Sequence, residues 1–193
     1  PSGRIALLIP SHRLSMKAIL SAKNSNSAAA PEITSTQGLA STSSAANCSG
    51  SATQPRRIAQ PVTKVIAFAR GEHRAAALSE RFQDDRLRIH LGDIRDQYGL
   101  RSSIQGATVV IHLAALKRIE SAASSPFEAA SVNIDGTRAV IETILALAKT
   151  GPPARCLYLS SDKACMPTTF YGATKYVAEQ LWLGANTYSP RPH

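Results

Sequence analysis

The sequence predicts a doubly wound α/β domain over residues 61–186, on three observations. Short β-rich runs alternate with helical stretches, and such alternation needs crossover connections and a parallel sheet. The runs are continuously apolar, as in Val109-Val110-Ile111, the pattern of strands covered on both faces. Polar clusters follow the strands, where ligands of such folds bind: Gly92-Asp93, Ala114-Ala115-Leu116-Lys117 and Ser160-Ser161-Asp162-Lys163.

Each element has its own signal. Lys64–Ala69 is β-rich and preceded by Pro61. Glu72–Phe82 has helix-forming composition. Leu87–Leu91 alternates as a strand and runs into Gly92-Asp93. Asp96–Ile104 suits a short helix, and Ala107–His112 a buried strand. Pro126–Lys149 is a long helical pattern. In it Phe127, Ala130, Ile134, Val140, Ile141, Ile144 and Leu145 can share one apolar face, and Gly151-Pro152-Pro153 stops it. Arg155–Ser160 is a further strand and Phe170–Asn186 the last helix.

Residues 1–60 differ in character. Over 20–56, Ser, Ala, Thr, Asn and Gln dominate, which buries too little apolar surface to offset ordering entropy. The expectation is a low-complexity, disordered or non-native segment at 1–60, a partial domain at 61–186 and a tail at 187–193. Ile5–Ile9 is apolar but only five residues long and ended by Pro10. No apolar run approaches the roughly 18 residues of a membrane span.

The net charge is +9, split as +5 over residues 1–60 and +4 over the rest. A modest positive charge suits a phosphate-bearing ligand. No nucleic-acid-binding motif accompanies it, so a nucleic-acid partner is not expected. Cys48, Cys156 and Cys165 form an odd set without metal spacing. That argues for a reducing, cytoplasmic setting and against a disulfide framework or a metal site.

Tyr171 and Lys175 are four residues apart at the start of a helix, which stacks them one turn apart on one face. A Lys ammonium beside a Tyr stabilises the phenolate. Alone, the pair is weak, because most such pairs are surface residues. Its context is stronger: it follows a strand that ends in Ser160-Ser161, with about ten residues between.

This arrangement resembles the extended short-chain dehydrogenase/reductases, whose Rossmann-like domain binds NAD(P). The resemblance implies that Ser161 and Tyr171 bind the sugar hydroxyl being oxidised and that Lys175 holds the nicotinamide ribose. Gly92-Asp93-Ile94-Arg95-Asp96 resembles the family's adenine-contacting Asp, and Val132-Asn133-Ile134-Asp135-Gly136-Thr137 its V-N-x-x-G-T helix. More narrowly, His112–Lys117, Ser161–Cys165 and Tyr171–Lys175 together resemble the UDP-N-acetylglucosamine 4,6-dehydratases of the CapD-like polysaccharide biosynthesis proteins.

The likeness covers about residues 62–186 and implies oxidation at C4, loss of water across C5 and C6, and hydride return to C6. Lys163 is then the base candidate and Asp162 the acid candidate, with Lys175 a source of the positive charge that would help deprotonate Lys163. It assigns Asp93, Ile94, Ala114, Ala115 and Lys175 to the cofactor, and Lys117 and Asn133 to the substrate. Arg70, just after a strand, can meet a 2′-phosphate, which favours NADP over NAD. UDP-N-acetylglucosamine is the substrate implied, and pairing through Pro126–Lys149 and Phe170–Asn186 would give a homo-oligomer. A 4-epimerase would use Ser161, Tyr171 and Lys175 but leave Asp162 and Lys163 idle. An inactive nucleotide-binding remnant is the third reading.

The chain departs from this family in lacking its G-x-x-G-x-x-G turn; upstream of Lys64 the candidates are Gly38 and Gly50, twelve apart. Codons for the family's Ile-Gly-Ser-Glu-Leu, read one base late, give Ser-Ala-Ala-Asn-Cys-Ser-Gly, as stands at Ser44–Gly50. A reading-frame shift restored before Ile58 is therefore expected, leaving no native first strand and an exposed sheet edge. The sequence after Phe170–Asn186 does not resemble the family's sugar-binding lobe, so a truncated fragment is expected.

Overall fold

The computed structural model describes residues 3–9, 62–151 and 154–189. Its strands are β1 (Gly3–Leu8), β2 (Val62–Ala69), β3 (Leu87–Leu91), β4 (Val109–His112) and β5 (Arg155–Tyr158). They form one parallel sheet in the order β3-β2-β1-β4-β5. The doubly wound α/β expectation holds.

The expected loss of a central strand does not. Gly3–Leu8 lies in the middle of the sheet, paired with β2 on one side and β4 on the other. Ala6, Leu7 and Leu8 are fully buried. The run Ile5–Ile9 is short because a central strand between two neighbours needs only a few residues, apolar on both faces. The 1–60 boundary therefore cuts off one strand of the domain. The low-complexity stretch 20–56, and within it Ser44–Gly50 with its frame reading, lies outside the described residues.

The helices are α1 (Glu72–Arg81), α2 (Gln97–Ile104), α3 (Ile119–Ser124), α4 (Pro126–Ala130), α5 (Gly136–Ala148) and α6 (Phe170–Gly184). Asp96 caps α2 by accepting from the Tyr98 and Gly99 backbone N–H groups. One sheet face, with Ala6, Leu8, Phe68 and Val110, packs on Leu100 and Ile104 of α2 and on Ala139 and Val140 of α5. The other face joins Leu7, Val65, Ala67 and Leu87 to Leu78 and Phe82 around α1.

The expected long helix Pro126–Lys149 is interrupted by a π-helical turn, Ser131–Asp135. A π turn inserts a residue, which rotates the side chains before it by about 100° relative to those after it. Phe127, before this turn, is 91% exposed, whereas Val140, after it, is fully buried. Among the described residues no helix is long and apolar enough to cross a membrane.

Candidate active site

The carboxyl ends of β1, β2, β3 and β4 open onto a shallow cleft lined by Ile9, Arg70, Gly71, Asp93, Ala114 and Ala115, among others. Ile94 is buried at its wall. Gly92 is required here: a Cβ on it would lie 2.6 Å from the Phe68 ring.

One end of the cleft is charged. Arg95 clasps Asp93 through Nε and Nη2 at 2.8 and 2.7 Å, and donates through Nη1 to Glu128 at 2.9 Å. Arg70 donates to the other Glu128 oxygen at 3.0 Å and lies 3.6 Å from Asp93. The Arg95 hydrogen bond, followed by Arg70, holds Asp93 below the usual carboxylate range despite partial burial. Arg70 is 54% exposed, so it can turn toward a ligand only by leaving Glu128. Glu128 gave no sequence signal, because its partners are 58 and 33 residues away.

The second half of the site is built on α6. Thr169 caps this helix by accepting from the Gly172 N–H at 3.1 Å. The three-residue 3-10 turn Asp162–Ala164 packs against its first turn. Gly172 makes this possible: a Cβ there would lie 2.3 Å from the Lys163 carbonyl oxygen. The Asp162–Ala164 turn is thereby seated on the first turn of the helix that carries Tyr171 and Lys175.

Ser161 accepts from the Lys163 N–H and donates to Asp162 Oδ1 at 3.0 Å. Lys163 Nζ lies 3.2 Å from both Asp162 oxygens. The Ser161 hydroxyl, then the Lys163 ammonium, hold the Asp162 carboxyl below its ordinary range. Asp162 is therefore a carboxylate at neutral pH, not yet an acid. Lys163 is 44% exposed and carries that ion pair.

Tyr171 is 7% exposed and Lys175 3%. Lys175 Nζ donates to the Leu159 carbonyl at 2.8 Å and sits 4.1 Å from the centre of the Tyr158 ring. Burial pulls its ammonium down to about 8, and Glu179 one turn further on opposes that fall. Glu179 also accepts from Ser160, tying α6 to the end of β5. Neither Tyr158 nor Glu179 was singled out in the sequence; each matters only once the strand and helix are packed.

Asn133 is placed differently from its expected substrate contact. It is 1% exposed, accepts from Leu116 N at 2.8 Å, and donates to Leu116 O at 3.2 Å and Thr174 Oγ1 at 2.9 Å. Its amide holds the loop after β4 against α6. Lys117 is exposed, one residue beyond Leu116 at the cleft wall. Among the described residues no cluster of His, Cys, Asp and Glu could hold a metal.

A parallel sheet with a cleft at its carboxyl edge, flanked by a strand-end Ser and a Tyr-x-x-x-Lys helix, defines an extended short-chain dehydrogenase/reductase domain. A family model described as polysaccharide biosynthesis protein matches residues 43–191, and the chain belongs to that family. It is 36% identical over 123 residues to the inverting UDP-N-acetylglucosamine 4,6-dehydratase of Campylobacter jejuni subsp. jejuni serotype O:23/36 (strain 81-176), covering 64% of this chain and 36% of that one. It is 27% identical over 124 residues to the UDP-glucose 4-epimerase of Rickettsia rickettsii (strain Sheila Smith), covering 64% and 35%. The chain thus spans about a third of the length of these curated relatives. Among solved structures, Pen from Bacillus thuringiensis superposes with a TM-score of 0.62 at 34% identity, over 66% of this chain and 38% of that one. DesIV, a dTDP-glucose 4,6-dehydratase from Streptomyces venezuelae solved with NAD and TYD, shares the fold at a TM-score of 0.57 and 22% identity, over 66% and 42%.

Proposed function

We propose that the chain carries the catalytic half of a nucleotide-sugar 4,6-dehydratase, a lyase, acting on UDP-N-acetylglucosamine in glycan precursor synthesis. The observation that supports this most is the close approach of Gly172 to the Lys163 carbonyl. It sets an Asp-Lys pair beside the Tyr171 helix, where simple oxidation and reduction would need neither group. The relatives that are dehydratases point the same way.

The cleft residues suit a dinucleotide: Asp93 and Ile94 at the adenosine, Ala114 and Ala115 along the wall, Lys175 at the nicotinamide ribose. Arg70 favours NADP, with release from Glu128 as the condition. When bound, the nicotinamide supplies the hydride acceptor for C4 and the donor for C6.

Tyr171, with Ser161, takes the proton of the C4 hydroxyl. The resulting ketone acidifies the C5 proton. Asp162 and Lys163 hold one proton between them across the 3.2 Å contact. Moving it from Lys163 to Asp162 creates the amine base and the carboxylic acid together, and a sugar that covers the exposed pair favours that neutral arrangement over the ionic one. Lys163 then accepts the C5 proton while Asp162 protonates the departing C6 hydroxyl as water.

The test is incubation with UDP-N-acetylglucosamine and NADP in deuterated water. A 4-keto-6-deoxy sugar with deuterium at C5 supports the reading. UDP-N-acetylgalactosamine without exchange at C5 supports the epimerase instead, and no turnover supports the inactive nucleotide-binding remnant.

A further inference from the structure

We propose that the Tyr158 ring is the platform that keeps the Lys175 ammonium charged and aimed, which makes Tyr158 a positioning residue for that lysine. The buried Nζ lies 4.1 Å from the ring centre and is anchored on its other side by the Leu159 carbonyl at 2.8 Å. The negative face of an aromatic ring attracts a cation, most strongly where water is excluded. The ring itself is fixed. Trp182 stacks on it at 5.4 Å and 28°, and His112 lies at 5.4 Å on a tilted plane.

The other groups around the ammonium do not supply this role fully. Glu179, on the same helix, favours the charge but is engaged by the Ser160 hydroxyl. His112 of β4 is neutral, because burial, with Lys175 adding to it, holds its imidazole far below its ordinary value. Tyr171 lies one turn before the lysine on α6, and Asn133 and Thr174 pair with each other nearby. Burial first, then Tyr171 and Glu179, keep the Tyr158 phenol above its ordinary range, so the ring stays neutral where Lys175 titrates. The Tyr158 hydroxyl is buried without a partner among the described residues, so the aromatic face and not the hydroxyl is what the site uses.

The consequence for catalysis rests on the proposed function, but the proposal itself is tested without cofactor. The Lys175 Cε–Nζ resonance of the full chain, labelled with 13C and 15N, is followed from about pH 6 to about pH 11, spanning the shifted and ordinary lysine values. Tyr158→Phe is expected to titrate as the wild type does. Tyr158→Leu is expected to titrate about one pH unit lower. Phenylalanines with one, two and three ring fluorines at position 158 keep the shape and weaken the negative face, and the midpoint is expected to fall with each fluorine. A midpoint that ignores both the leucine and the fluorines overturns the proposal, as does a Tyr158→Phe shift equal to that of Tyr158→Leu. The cofactor reading fails separately, if NAD and NADP both leave the Lys175 resonance unmoved.

Discussion

A methyl group on Gly172 would sit 2.3 Å from the carbonyl oxygen of Lys163. No Cβ tolerates that distance from backbone, so the 3-10 turn and the helix can touch only through glycine. Gly172 has ordinary helical geometry, so its role is close approach rather than left-handed backbone freedom.

Gly172→Ala should therefore push the Asp162–Ala164 turn off α6. Overpacking of this kind costs about 1–3 kcal/mol. Thermal unfolding should show that loss. The amide resonances of Ser161, Asp162 and Lys163 should move while those of β2 and β3 stay in place. Unchanged resonances in the turn would mean the helix, not the turn, absorbs the methyl.

Asn133 is a second tie between distant segments, joining Leu116, 17 residues before it, to Thr174, 41 residues after it. Asn133→Ala leaves the Leu116 N–H without its acceptor and the site without an amide that makes three bonds. The expected loss is about 2–4 kcal/mol, the range for a buried group left unsatisfied together with its lost partners. Faster hydrogen exchange at Leu116 checks it, since a purely cavity-like effect would leave that amide protected.

The sequence placed β2 to β5 and the helices α1, α2, α5 and α6 because each has its own periodic or apolar signal. It placed Ser161, Asp162, Lys163, Tyr171 and Lys175 together because a strand end and a helix start carry them within fifteen positions. Gly3–Leu8 escaped because its strand was sought through a glycine-rich turn, whereas its true signal was the unbroken run Ile5–Ile9. The π turn at Ser131–Asp135 escaped because composition does not mark an inserted residue. Glu128, Tyr158 and Glu179 act through partners remote in sequence or on another element, which a linear pattern cannot pair.

His112 gives the fold a sensitivity to acid. Thr137 donates its hydroxyl hydrogen to Asn133 O at 2.7 Å, so His112 Nε2, 3.0 Å from that hydroxyl, must be the donor. That leaves Nδ1 as an acceptor with no partner among the described residues. Burial, then the Lys175 charge, pulls the imidazole from 6.5 down to about 3. Below about pH 6.5 the unfolded chain takes up a proton that the folded chain refuses. Stability is therefore full above that pH and falls as pH drops from 6.5 toward 3, by an amount on the order of a few kcal/mol. His112→Phe keeps a ring against Tyr158 and Trp182 and should flatten the decline. Urea midpoints at a series of pH values decide it; equal slopes in both proteins would reject the assignment.

Glu128 competes for the arginine that a 2′-phosphate would need. Glu128→Gln removes the charge but keeps a side chain of the same size, leaving Arg70 and Arg95 facing Asp93 alone. Partly exposed ion pairs are worth about 0.2–1 kcal/mol, so NADP should gain about 1.4-fold to fivefold over NAD. Calorimetric affinities for the two dinucleotides, and for 2′,5′-ADP against 5′-AMP, measure the ratio. A ratio that stays level or falls would remove Arg70 from 2′-phosphate recognition.

Lys175 should reveal itself by what it costs the fold. Its ammonium is drawn from 10.5 to about 8 by burial, so charging it disfavours the folded state. The penalty is complete below about pH 8 and disappears as pH rises past about 10.5, because the unfolded chain holds the proton longer. At neutral pH the shift corresponds to about 3 kcal/mol, net of the opposing Glu179 charge. Lys175→Met fills the same space without the charge. It should be more heat-stable than the wild type at pH 7, with the difference closing toward pH 10, and should bind NADP at least tenfold more weakly. A residue kept for packing would behave oppositely, losing stability on replacement at every pH. Melting temperatures across pH, set beside dinucleotide titration of the same two proteins, separate these outcomes.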